Sequence, residues 1–197
     1  MKKLTLILSL MFSVMSSSPS YAEGLICKFT GWNCPVDFKD LVGRKGLYYK
    51  KFSDVPFTGK TTGKVQGTFK NGKKDGPYVR YHKNGQLFLK TNYKDGKNEG
   101  PYEQYWENGQ VMFKRTYKDG KEEGPYVSYH DNGNLYRKGN RKNGKWEGLW
   151  VNYYRNGQLF SEETYKNGKK DGPYVMYHKN GQVMSKGCLL YTSPSPR

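Results

Sequence analysis

Short runs that interleave apolar or aromatic residues with polar ones recur along residues 73–187, and each run closes on a turn-forming pair that ends in glycine. In one unit, Gly76-Pro77-Tyr78-Val79-Arg80-Tyr81-His82-Lys83 leads to Asn84-Gly85. Gln86-Leu87-Phe88-Leu89-Lys90-Thr91-Asn92-Tyr93-Lys94 then leads to Asp95-Gly96. Asn-Gly or Asp-Gly between β-rich runs is a strong hairpin signal, because a type I′ turn needs positive φ at both central positions. Turn pairs arrive too often for a helix to persist. The pattern predicts a continuous antiparallel meander with two short strands per unit.

The unit is 24 residues long and recurs five times without insertion. Asn84-Gly85 is followed by Asn108-Gly109, Asn132-Gly133, Asn156-Gly157 and Asn180-Gly181, and an acid-glycine step recurs at Gly76, Gly100, Gly124, Gly148 and Gly172. A fixed period of this length means stacked units that share one distributed core. The expected fold class is all-β, an extended antiparallel meander of tandem hairpin repeats forming a single-layer twisted sheet. Val55 to Lys70 reads as a degenerate opening repeat, so the array spans 55–187, and residues 23–54 read as an N-terminal cap.

Two-residue turns fix a register. A turn at Asn84-Gly85 pairs Lys83 with Gln86, His82 with Leu87 and Tyr78 with Thr91; one at Asp95-Gly96 pairs Lys94 with Lys97 and Leu89 with Tyr102. Cross-strand partners share a face. One face then carries Tyr78, His82, Leu87, Leu89 and Tyr93, and the other Val79, Tyr81, Phe88 and Lys90. Equivalent residues form columns with members ~9.6 Å apart, two strand spacings. Tyr81, Tyr105, Tyr129, Tyr153 and Tyr177 form one such column, and Lys94, Lys118, Lys142 and Lys166 another.

The two ends read differently from the array. Lys2 and Lys3, the mostly apolar stretch 4–15 and the small-residue site Ser20-Tyr21-Ala22 fit a cleaved secretory leader over 1–22. Export implies a periplasmic or extracellular destination. There, Cys27 and Cys34 are expected to form a disulfide. Residues 188–197 break the period and spell one translated frame of a transposase adapter used in sequencing libraries, so they read as a non-native tail. The net charge is +17, and removing both ends takes only Lys2, Lys3 and Arg197 from it.

Catalytic chemistry finds little support in the spacing. His82, His130 and His178 lie four strands apart, ~19 Å in a meander, too far to share a metal ion. Asp75, Glu99, Glu123, Glu147 and Asp171 recur in every unit, as turn residues do. No Gly-x-Ser-x-Gly elbow or phosphate-binding loop stands out. The expectation is a protein without enzyme activity, metal or cofactor. The tyrosine column and the lysine column are its candidate binding surface. They suit another protein or an anionic cell-envelope component, including anionic lipid headgroups, better than nucleic acid in an exported chain. The alternative for the lysines is solubility and protection of sheet edges.

The pattern G-P-Y-V-x-Y-x-x-N-G-Q-L followed by Y-K-x-G-K-x-[DE]-G resembles the bacterial variant of the MORN repeat and is similar to the YwqK-type antitoxins. The resemblance covers 57–187. In the fourth unit Leu149 replaces the proline, and Arg141 replaces the column tyrosine, which reads as tolerated drift. The resemblance implies a repeat scaffold, or alternatively an antitoxin or immunity protein that neutralises a toxin by direct binding.

Overall fold

The computed structural model describes residues 34–190. The expected leader, the first part of the cap with Cys27, and the end of the tail lie outside the described residues.

The array is an antiparallel meander, as its period requires. After β1 (Val36–Asp37), a 3-10 turn (Phe38–Asp40) and a hairpin of β2 (Leu41–Arg44) and β3 (Leu47–Lys50), twelve strands follow in chain order. They are β4 (Gly59–Thr62), β5 (Val65–Lys70), β6 (Lys73–Tyr81), β7 (Leu87–Lys94), β8 (Lys97–Tyr105), β9 (Val111–Lys118), β10 (Lys121–Tyr129), β11 (Leu135–Lys142), β12 (Lys145–Tyr153), β13 (Leu159–Lys166), β14 (Lys169–Tyr177) and β15 (Val183–Leu189). Each of β4 to β15 pairs with its chain neighbour, and β1 adds in parallel beside β4. The β2–β3 hairpin packs Leu41 and Tyr48, together with Phe38 of the 3-10 turn, against Phe57 and Phe69, with the Tyr48 and Phe69 rings 5.1 Å apart. It caps the core at the first repeat, where no preceding repeat covers it.

Burial alternates along β7, with Leu89, Thr91 and Tyr93 turned in and Lys90, Asn92 and Lys94 turned out. The inner face is where the rings lie. Its central row crosses the array as Gly67, Tyr78, Thr91, Tyr102, Arg115, Tyr126 and Gly139, and resumes as Glu163, Tyr174 and Gly187 beyond Trp150. A single-layer sheet has no second layer to cover its rings, so they lie down over the neighbouring strand. Trp150 is fully buried this way, against Gly139: a Cβ there would sit 2.4 Å from the indole. Between repeats Phe113 bridges the column, stacked at 5.9 Å from Tyr102 and 6.2 Å from Tyr126.

The tight turns match the expected type. Asp95 and Gly96 have φ of 50° and 83°, their counterparts behave alike, and Lys94 pairs with Lys97. The Asn84-Gly85 loops do not match. Gly85 has φ 87° but Asn84 is not positive. The Gly85 amide donates to the His82 carbonyl and the His82 amide to the Gln86 carbonyl, which closes a three-residue loop. This is a type I turn completed by a left-handed glycine. Asn84 is used differently: its Oδ1 accepts the Gln86 amide at 3.0 Å.

The longer loop moves the register by one residue. Tyr81 now faces Leu87, and a bulge at Phe88 restores Arg80–Leu89 and the expected Tyr78–Thr91 pair. Leu87 therefore joins Tyr81 on the outer face. Phe88 joins the inner one, 4.8 Å from the His82 ring and 5.0 Å from the Arg80 guanidinium. A second irregularity, at Glu99-Gly100, shifts pairing by two residues, so Leu89 faces Gln104 and Thr91 faces Tyr102. An even shift keeps the faces.

Gly139→Ala is expected to cost about 1–3 kcal/mol, because its new methyl must displace the fully buried Trp150 indole. Gly43→Ala, where nothing lies within 4 Å, should stay within about 0.5 kcal/mol of the parent. Urea unfolding midpoints compare the two, and equal shifts would contradict the packing described.

Candidate functional site

On the inner face, two arginines share one carboxylate. Arg115 pairs with Glu122, and Arg141 Nε lies 3.0 Å from Glu122 Oε2. That second contact is an attraction of charges only, since the Nε–H does not meet hydrogen-bond geometry. Rings enclose both guanidiniums: Arg115 lies 4.5 Å from the Tyr102 ring centre and 4.6 Å from Phe113, Arg141 5.4 Å from both Trp146 and Trp150. Cation–π attraction offsets part of the desolvation that burial imposes. Arg141 thus has a specific partner set, a correction to its reading as drift. The charged groups of the cluster are taken up by one another and by the surrounding rings, so it acts as a clamp between the second and third repeats.

The outer face carries both expected columns together. Tyr81, Tyr105, Tyr129, Tyr153 and Tyr177 are half-buried and pair with Leu87, Val111, Leu135, Leu159 and Val183. Lys94, Lys118, Lys142 and Lys166 are exposed on the same face near the opposite margin, each across a tight turn from another lysine. Like charges directly opposite are unfavourable. Between the columns runs a row that sequence reasoning left unremarked: Val79–Lys90, Glu103–Lys114, Val127–Lys138, Val151–Glu162 and Val175–Lys186. Its signal was present in the 24-residue period of Lys90, Lys114 and Lys138. Glu103 accepts the Tyr105 hydroxyl at 2.5 Å and lies 3.4 Å from Lys114. The hydrogen bond holds the Glu103 carboxyl below its usual range, and burial pushes Tyr105 up to about 12.

Along the two edges, recurring polar residues tie one repeat to the next. Glu99, Glu123 and Glu147 accept the amides of Asp119, Asn143 and Asn167 at 2.7–2.9 Å, the turn role expected of them. The Asn84, Asn108 and Asn132 amides donate to carbonyls of the following loop. His82 and His130 place Nε2 3.0 and 3.3 Å from the Tyr105 and Tyr153 carbonyls. Cys34 is disulfide-bonded and Cys188 is free and exposed; Cys27, the expected partner of Cys34, lies outside the described residues. Open depressions at the edges, one lined by Asn132, Tyr154, Arg155, Asn156 and Lys179, bring no nucleophile to a base.

The sequence profile of the MORN repeat variant matches residues 74–95, 98–119, 122–143, 146–167 and 170–189, more than half of the chain. Among curated proteins no sequence matches. One solved structure, "Crystal structure of GtfA/B complex bound to UDP and GlcNAc", aligns with 80% of this chain at 12% identity and a TM-score of 0.21. The chain spans 27% of that chain's length.

Glu122→Gln leaves two guanidiniums facing each other among rings. Because the three groups keep some solvent contact, the expected loss is about 2 kcal/mol, below the cost of breaking a fully buried pair. A denaturation midpoint unchanged from the parent would exclude the clamp.

Burial raises Tyr78, Tyr105 and Tyr117 to about 12, and Tyr165 is raised too, by burial and then by its hydrogen bond to Glu163. The folded chain therefore keeps protons that the unfolded chain loses from about pH 10. Stability is full below that pH and falls as pH climbs through about 12. Tyr93 is raised by burial as well, and Lys74, its charge disfavoured by burial, works in the opposite sense, one group against five tyrosines. Absorbance titration should show a delayed tyrosinate class along with this alkaline loss. Uniform titration near pH 10 without loss of stability would contradict it.

Proposed function

The chain belongs to the MORN repeat variant family, and on that premise we propose that it is a non-catalytic scaffold, exported from the cell, that holds another macromolecule along its outer face. The observation that carries this reading is the tyrosine column and the lysine columns sharing one face. No strand or helix of the described residues covers that face along β6–β15. Exposed lysines and half-buried tyrosines suit an anionic component of the cell envelope or a protein with an acidic surface. The leader-like residues 1–22 support export.

A second reading takes the same face to a toxin. It is favoured by the G-P-Y-V units and their similarity to YwqK-type antitoxins. Relief of a neighbouring gene's toxicity on co-expression would support it over the first.

The first reading is tested with isolated cell-envelope fractions. The full chain should sediment with them in a salt-sensitive way, and the outer-face variant Tyr105→Ser/Tyr129→Ser should lose most of that binding. Equal sedimentation of parent and variant, or none by either, would overturn it.

A further inference from the structure

We propose that the outer face binds a linear, β-linked polysaccharide bearing one carboxylate per disaccharide, laid across the strands with one disaccharide over each repeat. This deepens the scaffold reading above and rests on it.

The stripe's composition points to sugar rings. Tyr81, Tyr105, Tyr129, Tyr153 and Tyr177 alternate across ten strands with Leu87, Val111, Leu135, Leu159 and Val183. The stripe is about 43 Å long at ~4.8 Å per strand. Half-buried tyrosines lose little freedom on binding and present an apolar ring beside a hydroxyl. A pyranose has the matching parts: a C–H face to lie on a ring and hydroxyls at its rim. Protein partners, by contrast, anchor large side chains in desolvated pockets. Two depressions among the described residues lie at the sheet margins, and neither is lined by a side chain of the stripe.

The period selects the polymer. Equivalent tyrosines recur at ~9.6 Å, two strand spacings. The disaccharide repeat of an extended β-linked glycan is of similar length, so successive disaccharides meet successive tyrosines in nearly the same way. A lipid surface has no such register. Charge adds the carboxylate. Lys90, Lys114, Lys138 and Lys186 stand in the row beside the stripe, at one strand position in four of the five repeats. Two acids share that row. Glu103 is engaged by Tyr105 and Lys114, and Glu162 takes the lysine's place in the fourth repeat. The fourth repeat is therefore the weak step. Lys94, Lys118, Lys142 and Lys166 on the same face extend the positive field.

The test titrates the full chain with hyaluronate oligosaccharides of two to five disaccharides. Neutral chito-oligosaccharides of equal length and phosphatidylserine vesicles serve as comparisons. Affinity should rise with each added disaccharide and fall with salt. Tyr81→Ala/Tyr129→Ala should weaken the longest oligomer at least about tenfold, and Lys90→Gln/Lys138→Gln should flatten the salt dependence. Circular dichroism and thermal midpoints confirm that both variants stay folded. Affinity independent of length, equal binding of the neutral oligomers, or binding to vesicles without binding to hyaluronate would each overturn the proposal. If glycan binding fails while envelope binding still depends on the tyrosines, only the glycan is wrong. If both fail, the scaffold reading fails with it.

Discussion

Everything in this molecule follows from covering one apolar face without a second layer. Sheets usually bury their apolar side against helices or another sheet. Here, beyond the β2–β3 cap, the rings are covered by neighbouring side chains of the same face, and along the central row large and small residues alternate between adjacent strands. Gly139 beneath Trp150, Gly67 beneath Tyr78, Gly187 beneath Tyr174 and Thr91 between Tyr78 and Tyr102 are the small members. Where the small position holds Arg115 or Glu163 instead, the charge brings its own partner: Glu122 for the arginine, Lys170 for the glutamate. The core is one side chain deep and as long as the array.

That arrangement also separates the work of the two faces. Inner residues are committed to packing, and edge residues to joining successive turns through Glu99, Asn84 and their counterparts. Apart from the Tyr105 hydroxyl bonded to Glu103, the fold does not call for tyrosine in the outer column, since a sheet face in water tolerates any residue that suits a strand. The lysine pairs across the tight turns work against pairing. Their presence on one uncovered face is why function is sought there.

Much of this was legible in the chain. The period sets the strand order, and the tight turns match expectation because the strands close directly on each pair, Lys94 facing Lys97, with positive φ at both turn residues. Asn84-Gly85 was read wrongly for a physical reason. An Asn-Gly pair suits two loops, and the choice fell to His82 and Gln86, whose backbone groups close the longer one. The one-residue change exchanged Leu87 and Phe88 between faces, as odd register shifts must. Tyr81 and Lys94 were grouped as one surface, and the outer face holds both. The inner clamp does not stand out in a search for columns of like residues, because Arg115, Glu122 and Arg141 each depart from their column, although the tight-turn register already sets Glu122 opposite Tyr117 and diagonal to Arg115.

The most direct measurement is the chemical shift of the Gly139 α-protons in the folded protein. An indole lying against that glycine must move them far upfield through its ring current, with through-space contacts to Trp150, while the tyrosines of the outer column remain accessible to solvent probes. Ordinary glycine shifts without those contacts would mean that the rings are covered in some other way. The division between a packed face and a free one would then be wrong.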